Sequence, residues 1–186
     1  MSRLRLALTT SVCGATLLAA AAAHAEAFAW SPSQMFVQAG AADGSGSVTL
    51  GLRWPWSWRS DFGGGALTAS TEFSLSQWRY DNAAGRRTSL VQLAVSPVLR
   101  WRPDAGAARW FLEGGLGLTQ TSRRYETERK TFSTRFNFGT QLAVGFDFGE
   151  RREHEISLRV AHFSNGGIRK PNPGENFLQL RYAFHF

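Results

Sequence analysis

The fold that this sequence predicts is an all-β chain closed into an eight-stranded antiparallel transmembrane β-barrel of the bacterial outer membrane. Three observations point there. Apolar residues recur at every second position through most of the chain, which is the period of a strand with two unlike faces. Several apolar rows end in aromatics, as rows that reach a membrane interface do. The opposite faces carry Glu72, Gln77, Gln92, Arg100, Glu113, Gln141, Arg159 and Arg181, acids and arginines that can pair inside a narrow lumen. A soluble sandwich or a lipocalin-like barrel would turn its apolar face inward, and neither accounts for the aromatic ends.

Residues 1–25 read as an export signal that is cleaved, leaving 26–186 as the barrel. Arg3 and Arg5 open it, residues 6–23 are apolar, and Ala23-His24-Ala25 is a small-x-small cleavage site. The apolar core is short for a membrane anchor. The single cysteine, Cys13, falls in this leader, so the mature chain has neither a disulfide framework nor thiolate chemistry.

The strands then follow in order. Met35, Val37 and Ala39 make a weak first run, and Val48, Leu50, Leu52, Trp54, Trp56 and Trp58 a strong second. Leu67 to Leu75, Val91 to Trp101, Trp110 to Leu118 and Phe136 to Phe148 supply four more. Ile156, Leu158 and Val160 form the seventh. The eighth carries Leu178, Leu180, Tyr182, Phe184 and Phe186 on one face, and resembles the C-terminal assembly signal of outer-membrane proteins. Pro55 and Pro97 interrupt good strands and mark bulges or sheet ends. Eight strands make a barrel that side chains fill, so no pore is expected.

An even strand number puts both ends of the barrel chain on the periplasmic side. The connections near 79–88, 121–134 and 165–175 then face outward and are longer on average than the turns at the other end, although that near 41–46 is short. The whole chain carries a net charge of +7, which becomes +5 without Arg3 and Arg5. A basic exported protein suggests an anionic partner. No Walker loop, zinc-finger spacing or nucleic-acid signature accompanies the charge. Arg86, Arg87, Arg123, Arg124, Arg129, Lys130, Arg169 and Lys170 gather in the outward connections, where they can bind lipid phosphates.

The seventh strand carries the candidate chemistry. Its outward register runs Ile156, Leu158, Val160, His162, Ser164. Residues i and i+2 share a face, with Cα atoms roughly 6.5 Å apart. An imidazole there can reach a hydroxyl, which supplies a nucleophile and its general base on the outer wall. Glu175, across a hairpin, is the candidate third member. Asn165 and the backbone around Gly166 and Gly167 are candidates for holding an oxyanion. A nucleophile facing lipid selects a lipid acyl ester as substrate. Asn-Gly-Gly and Pro-Asn-Pro-Gly are also ordinary turn chemistry, and rim His and Ser are common.

The segment His162-x-Ser164-Asn165-x-Gly167, followed by Lys170-Pro171-Asn172-Pro173-Gly174-Glu175, resembles the active-site segment of the lipid A 3-O-deacylase family. The resemblance covers the last 25 or so residues. It implies an eight-stranded outer-membrane barrel whose active site faces the outer leaflet. The implied reaction is hydrolysis of the ester-linked acyl chain at the 3-position of lipid A, with lipopolysaccharide as partner and neither metal nor cofactor. By resemblance His162 is the base, Ser164 the nucleophile, Glu175 the orienting acid, and Asn165 and Gly167 the oxyanion residues. The family's acid can lie one residue further along, where this chain has Asn176. A non-enzymatic barrel that binds lipopolysaccharide and a different membrane acyl enzyme remain alternatives. Whether two copies form a homodimer is left open.

Overall fold

The structure, a computed structural model, describes residues 31–186. The expected export signal lies outside the described residues. Eight strands close on themselves in chain order: β1 (Gln34–Ala42), β2 (Ser45–Phe62), β3 (Gly65–Asp81), β4 (Arg87–Arg102), β5 (Trp110–Thr121), β6 (Phe136–Phe148), β7 (His154–Ser164) and β8 (Glu175–His185). Every neighbouring pair is antiparallel, and β1 closes the ring against β8 through registers such as Val37↔Tyr182. Closure leaves no sheet edge, so a backbone with no water around it can satisfy its hydrogen bonds.

Alternation sets the two faces. Along β7, Ile156, Leu158 and Val160 are exposed, while Glu155, Ser157, Arg159 and Ala161 between them are buried. Along β8, Leu178, Leu180 and Tyr182 point out and Phe177, Gln179 and Arg181 point in. An apolar exterior over a polar interior suits a barrel whose solvent is lipid. One reading is corrected here. Gln77, expected in the lumen, continues the outward row Phe73–Leu75–Gln77, because two positions along a strand cannot change face.

Both prolines fall where the ladder lapses. The β2–β3 register shifts between Pro55 and Arg59. Pro97 pairs with Thr71 of β3, but toward β5 the pairing skips from Val95↔Leu118 to Val98↔Gly115. A residue without an N–H costs least at such a gap.

The lumen is filled in two layers. One is ionic: Arg53, Arg100, Arg159 and Arg181 surround Glu72, Glu113 and Glu155, with contacts including Arg100–Glu113 at 2.6 Å and Arg181–Glu72 at 2.6 Å. Each charge has an opposite neighbour, which is the condition for burying it. The other layer is aromatic: Trp78, Tyr80, Phe163 and Phe177 pack with Tyr125 and Phe132. The latter two come from the long 122–135 connection, which folds into the barrel mouth instead of extending away from it. A small bridge, Glu126↔Thr131, and the Phe132 N–H donating to the Tyr125 carbonyl shape that fold. Edge-on contacts such as Trp78–Phe163 at 5.1 Å stabilise the layer beyond its burial.

Candidate active site

Polar residues interrupt the apolar exterior where β6, β7 and β8 meet. His162 and Ser164 continue the outward row of β7, as their register requires. Asn176 takes the matching outward position on β8 and pairs directly with His162. The His162 Nδ1–H donates to Asn176 Oδ1 at 2.7 Å. An amide oxygen can only accept, so the proton sits on Nδ1 and the basic lone pair on Nε2. On the other side Ser164 pairs with Phe138 and His162 with Thr140. Leu142, Val160 and Leu178 extend an apolar wall from the site, each more than half exposed. Acyl chains have a surface to lie on there.

Gly174 lets the hairpin close over the imidazole. Its φ is +69°, and a Cβ there would stand 2.5 Å from His162 Cε1 and 3.1 Å from Nε2. Glycine meets both conditions, left-handed backbone and close approach.

Two of the sequence-derived roles meet a different geometry. Glu175 does not reach His162. It is the first residue of β8 and points into the lumen, 1% exposed, with its carboxylate accepting from Tyr125 Oη at 2.9 Å and Lys130 Nζ at 2.8 Å. Adjacent residues on a strand face opposite ways, so Glu175 and Asn176 cannot both serve the outer wall. Burial and the Glu175 carboxylate both act on Tyr125, raising its hydroxyl above the usual tyrosine range, with a bond from Ser45 working the other way.

Asn165 likewise turns inward and is 1% exposed. Its amide donates to Ser133 Oγ at 2.9 Å and to the Arg169 carbonyl at 2.7 Å, and its Oδ1 accepts the Gly167 N–H at 2.9 Å. The side chain holds the turn together. The Asn165 N–H donates to Asn172 Oδ1 and the Ile168 N–H to the Asn165 carbonyl. Among the described residues the Gly166 N–H, next in chain to Asn165, is one of the turn donors without a protein partner, together with those of Arg169, Lys170, Asn172 and Gly174. Asn172 enters the sequence reading only as part of the turn motif, and Ser133 not at all; the two converge on Asn165. Only the fold of the two connections brings them together.

Among the described residues one group has the spacing to hold a cation: Asp147, Glu155 and His185 at the far end of the lumen. Arg102 already contacts Asp147 at 2.7 Å and Arg100 contacts Glu155 at 2.7 Å. Two guanidiniums neutralise the two carboxylates, so little charge remains to attract a dication.

The family model described as lipid A 3-O-deacylase (PagL) matches residues 44–185. The chain belongs to the lipid A 3-O-deacylase (PagL) family. Among curated PagL relatives, the lipid A deacylase PagL of Bordetella bronchiseptica is 34% identical over 129 residues, 67% of this chain and 67% of its own length. That of Pseudomonas aeruginosa is 25% identical over 119 residues, 63% of this chain and 65% of its own. These alignments span about two thirds of each relative. The crystal structure of the outer membrane enzyme PagL superposes with a TM-score of 0.69 at 21% identity, covering 82% of this chain and 99% of that one. That likeness carries the fold. PagL membership makes this outer-membrane barrel a hydrolase acting on ester bonds.

Proposed function

We propose that this chain removes the ester-linked acyl group at the 3-position of lipid A, with Ser164 as nucleophile and a site that faces the outer leaflet. The observation that carries the reading is a His–Ser pair on the lipid-facing wall, with the imidazole oriented by Asn176. Buried in lipid, such polar groups have a cost that function explains. The relatives named for lipid A deacylation supply the substrate class. Arg169 and Lys170, in the hairpin that follows Ser164, are placed to meet the phosphates of an anionic lipid.

The reaction follows from the donor set. His162 Nε2 takes the Ser164 proton as Oγ attacks the ester carbonyl. The oxyanion meets the Gly166 N–H, in place of the Asn165 amide and the Gly167 N–H, which are occupied. His162 then protonates the departing sugar oxygen, and water admitted by the same base releases the fatty acid. Asn176 holds the tautomer that this requires without adding a charge. A neutral orienter of the same kind serves in Cys-His-Asn hydrolases.

Mass spectrometry of lipid A from cells expressing the chain tests the reading. Loss of one hydroxyacyl group is expected, and Ser164→Ala should abolish it, by about 10⁴-fold or more, with the barrel still folded. Unchanged lipid A beside a folded wild-type barrel would refute the substrate assignment. Full activity in Ser164→Ala would refute the nucleophile.

A further inference from the structure

The residues on either side of the hairpin 165–174 belong to the proposed site: the nucleophile Ser164 precedes it and Asn176, which orients His162, follows Glu175. Both flanks are gripped from inside the barrel by one segment, the 122–135 connection. At the first flank, Ser133 Oγ accepts from Asn165 Nδ2 at 2.9 Å and donates to the Arg169 carbonyl at 2.9 Å. At the second, Tyr125 and Lys130 hold the two oxygens of Glu175, and Glu175 Oε1 in turn accepts the Asn176 N–H at 3.0 Å. The segment is itself anchored, because Tyr125 and Phe132 are buried in the aromatic layer and Ser45 of β2 donates to the Tyr125 hydroxyl at 2.7 Å.

We propose that the 122–135 connection is an interior strap that positions the catalytic wall, with Glu175 and Asn165 as positioning residues. The proposal rests on the assignment of Ser164 and His162 given above. A nucleophile and base on the outside of a barrel have lipid on one side and no enclosing pocket, and the Asn176 bond steadies His162 alone. Support has to come from the lumen side. The strap supplies it one peptide away from Ser164 and one peptide away from Asn176. A buried carboxylate with a lysine and a tyrosine on it costs desolvation that packing alone does not call for. A shift of about 1 Å at a reacting pair can cost roughly 10²-fold in rate, so loosening either handle should lower turnover per folded molecule.

The test uses Glu175→Gln, Lys130→Met, their double variant and Ser133→Ala in the full-length protein, refolded in detergent micelles. Three quantities are measured: kcat and KM on lipid A, the rate at which a small soluble fluorophosphonate labels Ser164, and thermal unfolding. Each single variant should lower kcat and the labelling rate per folded molecule by about tenfold, with KM within about twofold; Lys130→Met, which leaves the buried Glu175 carboxylate without its cation, should also unfold at a lower temperature. The double variant should be no slower than the slower single, because both residues act through one contact. Wild-type labelling in folded Glu175→Gln and Lys130→Met would overturn the strap. So would a loss confined to Glu175→Gln, which would make that carboxylate act on His162 directly. Losses that add in the double variant would also overturn it. If Glu175→Gln does not fold, Lys130→Met and Ser133→Ala decide alone. Label that survives Ser164→Ala would overturn the nucleophile assignment itself, and the strap with it.

Discussion

On its outward face the β7–β8 hairpin carries His162, Ser164 and Asn176, of which His162 and Asn176 share a side-chain hydrogen bond. On its inward face the same two strands carry Arg159, Phe163, Glu175, Phe177 and Arg181, all buried and, where charged, held by opposite charges from other strands or the strap. The outward three stand on the apolar exterior, half-buried or exposed. The inward five make the contacts that specify the barrel. A strand with period two lets both jobs run along one segment, since neighbouring residues never share a face. Glu175 and Asn176 show how narrow the division is: one peptide separates a lumen anchor from the residue that hydrogen-bonds His162.

The comparison can be broken on the inward face first. Glu113→Leu leaves Arg53, Arg100 and Arg159, which meet Glu113 at 2.7, 2.6 and 2.9 Å, without that carboxylate in a closed lumen. A loss of about 3–5 kcal/mol in unfolding free energy is expected, measured by denaturant titration in micelles. Turnover per folded molecule should stay at the wild-type value, and a matching fall in turnover would erase the distinction between the faces. On the outward face, Gly174→Ala pushes a methyl against the imidazole and strains a backbone at φ +69°. Its kcat should fall by roughly ten- to a hundredfold while KM holds. The smallest effect sharpens the role of Asn176. Asn176→Asp places a carboxylate where the amide oxygen now accepts from His162 Nδ1. An anion there favours the imidazolium, so the base loses its lone pair at higher pH. The acid limb of the kcat/KM profile should move up by about one unit, and an unmoved limb would mean that Asn176 does not orient the base.

Much of this was legible in the chain. Parity alone placed Ser164 and His162 outside, because both continue the row Ile156–Leu158–Val160. The same parity puts Asn176 in the row of Leu178 and Leu180, and Glu175 opposite. The turn-rich hairpin and its resemblance to a family motif drew Glu175 into the site against that parity, and the register returned it to the lumen. The grip of Ser133 on Asn165, and of Tyr125 and Lys130 on Glu175, left no trace in the pattern. Those residues lie in a connection without alternation, and their partners are 32 to 50 positions away.

The sequence by itself determined which residues face lipid and which face the lumen, since side-chain period in a strand is a local property of the backbone. It also determined that His162 and Ser164 share the outward face, because they are two positions apart on one strand. The tertiary structure alone decided which residue meets His162 across the hairpin and what holds the hairpin from within. Both depend on the pairing register of β7 with β8 and on a loop folding into a closed barrel, and neither exists until the ring has shut.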